Sequence, residues 1–393
     1  MTATIRHITA PPTHWVRRGG STQADPLQAV AEVAAQIAMP DPGLVIFFCA
    51  ADYDLATLAP VLWRHFPKCP VVGCTTAGVI SPRGYQSQGL GAVAFSAAVL
   101  QAETALIEDV GALRVTECRQ RTQEVRSRLE SRTGRTLDSS TGFAFLLCDG
   151  LCLNEERVVS AISATLSGIP LVGGSAGDDL QFQTSGVYHG GRFYDAAALL
   201  LLADCRLPFR AFSTHNVNAT NQRMVVTQAE PARRLVRHLN GAPAAAEYAR
   251  LLGLAVEDLT PEVLAEHPPV VKMGDDVYVR SIIEMMPDGG LTFGCAVDTG
   301  IVLRIGRTGD LVSNLDTTLR EVRREVGAPA VVLACDCTLR QVEMERHGLT
   351  DSIADTLETF QAVGFSSYGE QINSMHLNQT FTGIAFGAKP RDA

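Results

Sequence analysis

The hydrophobic positions of the chain form short apolar runs that are separated by amphipathic segments. The runs at 43–52 (GLVIFFCAAD), 70–78 (PVVGCTTAG) and 89–100 (GLGAVAFSAAVL) have the length and apolar content of buried strands. The segment 55–66 (LATLAPVLWRHF), which follows the first run, has the apolar spacing of an amphipathic helix. Together these segments predict a β-α-β-β unit.

The same pattern recurs twice further along the chain. Each copy begins with a strand that carries a cysteine near its end, at Cys49, Cys148 and Cys335. The later copies are predicted from strands at 142–151, 170–178, 330–340, 362–371 and 378–387, helices at 154–168 and 352–361, and a hairpin at 185–204. The predicted fold is therefore an α/β protein of repeated β-α-β-β units that form mixed sheets, with the Gly-rich loops converging at one end.

The segments outside the repeats suggest how the chain divides into domains. Residues 232–254 are predicted to be helical, with an interruption at Gly241 and Pro243, and residues 270–310 read as strands separated by turns. The composition changes near residue 228, which predicts two domains, 28–228 and 229–388. The first 25 or so residues contain a Pro pair and few periodic apolar positions, so an irregular arm is expected there.

Composition and charge exclude several classes of function. The 393-residue chain is 46% hydrophobic and has a formal net charge of -9, without a basic cluster, so a nucleic-acid surface is not expected. No stretch reaches the ~18 apolar residues of a membrane span, and the N-terminus lacks a signal-peptide core. We therefore expect a cytoplasmic protein whose ten cysteines are reduced thiols, and their spacing does not indicate a zinc site.

Three phrases carry a resemblance to a known family. VVGCTTAG, LVGGSAGDD and GFSSYGEQINSMHLNQTFTGIAFG resemble signature stretches of FIST proteins, a prokaryotic sensory module with an N-terminal and a C-terminal part. The resemblance covers about residues 28–388. It implies a sensor rather than an enzyme, with small molecules such as amino acids among the ligands proposed for the family.

The chain is most similar to stand-alone FIST proteins that carry no output domain. That resemblance implies binding of haem b, sensing of nitric oxide, and signalling to a separately encoded histidine kinase or cyclic-di-GMP enzyme, and it leaves room for a homodimer. Two alternatives remain open: a FIST sensor of a soluble ligand such as an amino acid, without haem, and an enzyme acting on small metabolites.

Haem ligation requires a neutral imidazole, and three of the nine histidines are candidates. His189 is the first choice as iron ligand, because it lies at a predicted hairpin turn beside two glycines that would admit a flat ligand. Arg192 and Tyr194 follow it as partners for the propionates. His376, in NSMHLNQT, is the second candidate, and His215, in a polar stretch that could form a lid, is the third.

The Gly-rich loops supply further candidates for the binding site. Gly173 and Gly174 are expected to line the cofactor pocket, Arg83 and Tyr85 are weak candidates for the propionates, and Cys74 offers a thiolate.

Carboxylates and serines in the same loops bear on the two alternatives, a sensor of a soluble ligand and an enzyme. Asp178, Asp179 and Glu370 would suit an amino-acid or metal site, although an Asp after such a turn commonly caps the next element. Ser175 and Ser366 lie outside any G-x-S-x-G elbow, so they give no sign of a catalytic serine.

Overall fold

Three copies of the β-α-β-β pattern build the larger part of the protein in the computed structural model, which describes residues 14–391. The first copy and the segments around it comprise β1 (Val16–Ser21), α1 (Pro26–Ile37), β2 (Pro42–Ala50), α2 (Leu55–His65), β3 (Val71–Thr76), β4 (Val79–Ser81), β5 (Gly84–Gln86), β6 (Leu90–Ser96) and β7 (Leu100–Ile107). The second copy comprises α3 (Val115–Thr133), β8 (Gly142–Cys148), α4 (Glu155–Leu166), β9 (Leu171–Ser175), β10 (Val187–His189), β11 (Arg192–Tyr194) and β12 (Ala198–Cys205).

An additional set of strands separates the second copy from the third. It comprises β13 (Phe209–Thr214), β14 (Val217–Glu230), β15 (Leu235–Leu239), β16 (Ala242–Pro243), α5 (Ala244–Leu252), α6 (Pro261–Glu266), β17 (Pro269–Met273), β18 (Asp276–Val279), β19 (Ile282–Met285), β20 (Leu291–Phe293) and β21 (Val302–Thr308). The third copy comprises α7 (Leu311–Val326), β22 (Pro329–Cys337), α8 (Thr338–Arg346), α9 (Thr350–Thr359), β23 (Ala362–Ser367), β24 (Glu370–Ile372), β25 (Met375–Leu377) and β26 (Phe381–Gly387).

Each copy contributes the central strands of one six-stranded mixed sheet. The first sheet has the order β1-β6-β2-β3-β10-β11, the second β25-β24-β9-β8-β12-β7, and the third β13-β26-β22-β23-β4-β5. In every sheet one parallel pair, β2–β3, β8–β9 or β22–β23, is flanked by antiparallel strands. The predicted fold class, an α/β protein of repeated units in mixed sheets, is confirmed.

The three sheets exchange hairpins in a cycle. The β10–β11 hairpin of the second copy extends the first sheet, the β24–β25 hairpin of the third copy extends the second, and the β4–β5 hairpin of the first copy extends the third. No copy therefore completes its sheet with its own strands, and the edge that each exposes is covered by a neighbour. This exchange brings the ends of all three Gly-rich loops together.

Apolar side chains from the three sheets meet in one central core, and helices cover the outer faces. Phe48 of the first sheet stacks on Phe365 of the third at 4.7 Å between ring centroids, and Phe143 of the second sheet contacts Phe386 of the third at 5.2 Å. Outside, α1 and α2 cover the first sheet, α3 and α4 the second, and α7 to α9 the third. The pattern of two buried faces explains why the central strands are uninterrupted apolar runs.

One glycine in each repeated phrase allows the parallel strands to approach. A Cβ atom at Gly73, Gly173 or Gly364 would overlap a backbone carbonyl oxygen of the neighbouring strand, that of Phe47, Leu146 or Ala334 respectively. The repetition of Val-Gly in the three phrases thus has a steric cause in the pairing of β3, β9 and β23 with their parallel partners.

The fourth sheet is separate from the three repeated ones. Its order is β18-β17-β21-β14-β15-β20-β19, with β16 paired to β15, and α5 packs against it. The strands predicted in 270–310 are confirmed, whereas the helix predicted over 232–254 is wrong in its first half, where β15 pairs with β14. The apolar residues of β15 alternate too irregularly to separate a strand from a helical turn by spacing alone.

Two other predictions concern the N-terminal arm and the domain boundary near residue 228. The prediction of an irregular arm is wrong for Val16–Ser21, which pairs with β6 along its whole length. Residues 1–13 of the predicted arm lie outside the described residues. The predicted domain boundary near residue 228 falls within β14, and β13 and the β4–β5 hairpin complete a sheet otherwise built after that boundary. The division into 28–228 and 229–388 stays a prediction.

Candidate functional site

The three Gly-rich loops meet at one end of the central core. Each loop donates or accepts backbone hydrogen bonds with the other two: Ser366 N to Gly78 O at 2.7 Å, Gly177 N to Thr75 O at 3.2 Å, and Ser175 N to Gly369 O at 2.8 Å. The loops follow the parallel strands, so they lie at the sheet edge where α/β proteins commonly bind ligands. This junction is the candidate functional site.

A segment that we call the 178–184 loop lies across the junction. Its backbone is held by the buried Asp178 carboxylate, which accepts hydrogen bonds from the N–H groups of Phe182 at 2.8 Å and of Gln183 and Thr184 at 2.7 Å. The Tyr368 hydroxyl donates to the same carboxylate. Burial opposes ionisation, but these hydrogen bonds outweigh it, so the pKa of Asp178 lies below its usual value.

The 178–184 loop holds two large apolar side chains partly in solvent. Leu180 is 39% exposed and Phe182 is 43% exposed, and both have positive φ angles, 62° and 53°. The Phe182 ring stacks on Tyr368 at 4.6 Å between centroids. A backbone conformation that costs free energy at two apolar residues is maintained by the Asp178 hydrogen bonds, which is the arrangement expected of a functional loop.

Beneath this loop is a cavity of about 220 Å³, which we call the α8 cavity because it lies at the start of α8. Four parts of the chain bound it: the 178–184 loop, the end of β22 with α8, the connections on either side of the β24–β25 hairpin, and α6 with β19 of the fourth-sheet region. Its lining is predominantly apolar and includes no Asp, Glu, Lys, Arg or His. The side chains in this lining include Leu180, Phe182, Ile283, Val342, Tyr368 and Asn378.

One polar side chain in the cavity wall is incompletely paired. Asn378 is 1% exposed, and its Oδ1 has no hydrogen-bond partner among residues 14–391. Its Nδ2 donates to the carbonyl of Gly294 over a long 3.5 Å. Because a buried amide oxygen without a donor costs free energy, a ligand donor in the cavity would stabilise it once the side chain turns enough to expose the oxygen, which is almost inaccessible in this structure.

The cavity also contains a thiol, Cys337, at the end of β22. Burial raises the pKa of Cys337 well above its usual value, and the nearby Glu370 carboxylate raises it further. The thiol therefore stays protonated near neutral pH. It behaves as an apolar wall residue rather than as a nucleophile.

Behind the cavity lies a fully buried carboxyl group. Glu370 accepts hydrogen bonds from the hydroxyls of Ser367 at 2.5 Å and Thr380 at 2.8 Å, and from the Thr380 N–H at 3.1 Å. Burial raises the pKa of Glu370 to about 8, and the charge of Asp336 adds to the shift while the hydrogen bonds oppose it. Glu370 therefore titrates near neutral pH at the centre of the molecule.

A buried ion pair connects α8 with two other parts of the chain. Arg340 and Asp336 are both 0% exposed in their side chains and are 2.6 Å apart. The Tyr85 hydroxyl of the exchanged β4–β5 hairpin donates to Asp336. Arg340 contacts Asn216, which in turn donates to Glu343 at 2.8 Å where β13 leads into the fourth sheet. The start of α8 is thus fixed relative to both the first copy and the fourth sheet.

The first group of predicted haem residues lies on the β10–β11 hairpin. His189 and Arg192 are opposite each other, and His189 Nε2 lies 3.2 Å from the Thr104 hydroxyl. Burial lowers the pKa of His189, which favours the neutral imidazole. Arg192 is exposed, whereas Tyr194 packs against the central core. Proximal ligation by His189 stays a prediction.

The remaining predicted residues are distributed over other elements. His376 is buried on the second sheet, where its Nδ1 lies 3.1 Å from Gln371 Nε2 and its Nε2 lies 3.3 Å from the Gly294 carbonyl. Both ring nitrogens thus already have partners. Gly173 and Gly174 are strand residues packed against neighbouring strands, and Arg83 is an exposed partner of Glu32 at 3.1 Å.

The third histidine, His215, borders a different opening, which we call the wide cleft. The cleft measures about 970 Å³ and is lined by residues of β13, β18, α7 and the β24–β25 hairpin. Burial lowers the pKa of His215, and its Nδ1 accepts a hydrogen bond from the Val217 N–H at 3.3 Å. His189, His215 and His376 therefore belong to three separate environments.

The other sequence candidates lie close to the junction. Cys74 is buried in β3, where burial raises its pKa well above the usual value. Ser175 is buried and accepts a hydrogen bond from Gln371 Nε2 at 2.9 Å, and the Ser366 hydroxyl donates to Gln341 at 2.6 Å. Asp179 is exposed, and partial burial with nearby carboxylates raises its pKa.

Sequence reasoning missed the residues that define the α8 cavity. The sequence candidates did not include Phe182, Tyr368 or Asn378, although Tyr368 and Asn378 lie within the most specific phrase, GFSSYGEQINSMHLNQT. Within residues 14–391, no cluster of three or more His, Cys, Asp or Glu side chains has an arrangement that could hold a metal ion. In the same residues no helix is long and apolar enough to cross a membrane.

Comparison with known proteins gives two matching family models. A family model described as FIST N domain matches residues 43–242, and one described as FIST C domain matches residues 244–373. No curated protein matches the chain.

Two solved structures of cyanuric acid hydrolase are similar to the chain. One, from A. caulinodans, is 11% identical with a TM-score of 0.37 and covers 95% of this chain and 98% of its own. The other, titled as evolutionary innovation by structural concatenation, is 12% identical with a TM-score of 0.37 and covers 95% and 99%. Likeness this low carries no argument about activity. The two family matches, by contrast, span most of the sequence, and the chain belongs to the FIST family, whose domains are sensory modules that bind small ligands.

Proposed function

We propose that this protein is a sensor that binds a small ligand in the α8 cavity. The observation that carries the proposal is a predominantly apolar cavity whose wall includes Asn378, a buried residue with an unpartnered Oδ1. Pockets that are mostly apolar with a few positioned polar groups are the usual form of small-molecule sites. A ligand that donates to Asn378 would remove the cost of its unpaired oxygen.

The position of the cavity supports a signalling role. The ligand would contact the 178–184 loop through Leu180 and Phe182, the third copy through Val342, and the fourth-sheet region through Ile283. Binding would therefore favour one relative arrangement of these three parts over others, which is how a ligand shifts a conformational equilibrium. The receiver of the signal would be a separately encoded histidine kinase or cyclic-di-GMP enzyme in the cytoplasm, as the family resemblance suggests.

We propose binding rather than catalysis at this site. The cavity lining contains no ionised acid or base, and the raised pKa of Cys337 keeps that thiol protonated. Asp178, which holds the loop above the cavity, is already engaged by three backbone N–H groups and Tyr368.

The test is a ligand screen against the wild type and a variant with a filled cavity. Val342→Trp would occupy the cavity, whereas Val302→Trp, at a position 51% exposed on β21, is a matched control. A ligand at a hundredfold excess over its Kd stabilises the folded protein by about 2.7 kcal/mol, enough to raise its melting temperature measurably. We expect such shifts in the wild type and in Val302→Trp but not in Val342→Trp. Shifts that persist in Val342→Trp would place the site elsewhere.

We propose haem b with nitric oxide sensing as the second candidate function. The observation that favours it is the wide cleft, whose volume of about 970 Å³ lies at the upper end of ligand pockets and whose wall includes His215. Burial favours the neutral form of His215, as iron ligation requires. The α8 cavity, at about 220 Å³, is too small for a porphyrin.

Hemin titration tests this second candidate. A Soret band that appears in the wild type and is altered in only one of His189→Ala, His215→Ala and His376→Ala would identify the iron ligand. Nitric oxide should then shift that band. A wild-type protein that stays colourless in excess hemin would exclude the haem function and leave the α8 cavity as the ligand site.

A further inference from the structure

The chemistry of the α8 cavity restricts the ligand it accepts. Resting on the proposed function of that cavity, we infer that the ligand is a compact, uncharged and mainly apolar molecule that carries an N–H or O–H donor. The inference concerns the class of ligand, and it differs from the amino acids and haem that the family resemblance implies.

Size is the first restriction. The cavity volume of about 220 Å³ corresponds to about seven water molecules at roughly 30 Å³ each. A molecule of one or two small rings fits this space. The aromatic rings of Phe182 and Tyr368 and the aliphatic side chains of Leu180, Ile283 and Val342 provide apolar surfaces for it.

Charge is the second restriction. No lining side chain is ionised, and burying an unpaired ammonium or carboxylate group is strongly unfavourable. The start of α8 supplies only about half an elementary positive charge, which does not compensate a buried carboxylate. The Asp178 carboxylate is saturated by its four hydrogen bonds and does not line the cavity, so it offers nothing to an ammonium group. A zwitterionic amino acid would therefore bind poorly.

The third restriction is the direction of the hydrogen bond. Asn378 presents an oxygen without a partner, while its nitrogen already faces the Gly294 carbonyl. The opposite amide orientation would place two oxygens, Asn378 Oδ1 and Gly294 O, against each other. The unpaired group is therefore an acceptor. Its oxygen is almost inaccessible in this structure, so we expect the side chain to turn towards the cavity when a ligand supplies the donor.

Indole and benzothiophene test the inference as a matched pair, because they have nearly the same shape and only indole carries an N–H group. Calorimetry on the full chain should give indole an affinity about fivefold to tenfold higher than benzothiophene. In Asn378→Leu, which removes the acceptor and retains the volume, we expect the two affinities to become nearly equal. Tryptophan, which adds the charged groups of an amino acid, should bind at least tenfold more weakly than indole to the wild type.

Three results would overturn the inference. These are equal wild-type affinities for indole and benzothiophene, tighter binding of tryptophan than of indole, and no binding of indole at millimolar concentration. If Asn378→Leu fails to fold, the affinities of indole, benzothiophene and tryptophan for the wild type still test the inferred class of ligand. The screen with Val342→Trp separates the two claims, since charged hits that need an open cavity would overturn the ligand class and leave the proposed function standing.

Discussion

Glu370 gives the most quantitative prediction, because a buried carboxyl group with a raised pKa makes stability depend on pH. Its side chain is 0% exposed and has hydroxyl and N–H partners, and no cation contacts it within residues 14–391. The isosteric variant Glu370→Gln places a neutral amide where the carboxyl group lies, and the amide cannot ionise. The difference between the two proteins isolates the titration of this one group.

The sign and size follow from the pKa of about 8 in the folded protein against 4.5 for the free side chain. An unfolded chain releases this proton at low pH and the folded protein holds it, so stability is lost as pH rises from about 4.5 to about 8. At 1.36 kcal/mol per pH unit, the wild type should lose about 3–4 kcal/mol relative to Glu370→Gln between pH 5 and pH 8. Above pH 8 the difference should level off.

Denaturant titrations of both proteins at pH 5, 6.5 and 8 measure this effect. We expect the unfolding midpoint of the wild type to fall relative to that of Glu370→Gln at each step. Parallel pH profiles for the two proteins would refute the reasoning, since they would mean that folding does not raise the pKa of Glu370. A folded Glu370 that is stabilised as a carboxylate by its hydrogen bonds, with a pKa at or below 4.5, would give nearly parallel profiles over this pH range.

Three further substitutions test other parts of the structure. Gly173→Ala should destabilise the protein by about 3 kcal/mol because its Cβ would overlap a backbone carbonyl, whereas Gly111→Ala, with open space around it, should stay within about 0.5 kcal/mol; equal melting temperatures would contradict this. Asp178→Asn should lower the stability of the fold by about 1–3 kcal/mol and speed hydrogen exchange of the Phe182, Gln183 and Thr184 amides, which donate to the carboxylate. Unchanged exchange would mean that other contacts hold the loop. Arg340→Leu should cost about 3–5 kcal/mol by leaving Asp336 buried and unpaired, and adding Asp336→Asn should recover much of the loss; no recovery in the double variant would show that packing dominates.

The repeated units of the fold were predictable because each is written in local apolar patterns. The buried strands at Pro42–Ala50, Gly142–Cys148 and Pro329–Cys337 coincide with the predicted runs that carry a cysteine near the end of the strand. Their glycines also marked equivalent positions in each copy. These features depend on near neighbours in sequence and on burial, which a periodicity argument detects.

The exchange of hairpins was not predictable from the same patterns. The strands that cross between sheets, such as Val79–Ser81 and Glu370–Ile372, are three residues long and pair with partners far along the chain. Such short segments carry no periodicity of their own, and their register is set by tertiary packing. The segment Leu235–Leu239 was predicted as helix for a related reason. Its pairing with β14 in the fourth sheet overrides the weak helical preference of its own residues.

The candidate site was predicted only in outline. The Gly-rich loops were expected to converge, and they do, but the residues chosen for chemistry were those with conspicuous side chains such as His189. Asn378 becomes important only because Gly294 of the fourth-sheet region, 84 positions away, packs against it and excludes water. A contact of that kind leaves no local signal in the sequence.

The central claim is that the ligand occupies the α8 cavity, and a crystal structure with a bound screening hit tests it most directly. We predict ligand density between Phe182, Ile283 and Val342, with a donor atom within hydrogen-bond distance of Asn378 Oδ1. Ligand density in the wide cleft beside His215, with the α8 cavity left unchanged, would contradict the claim.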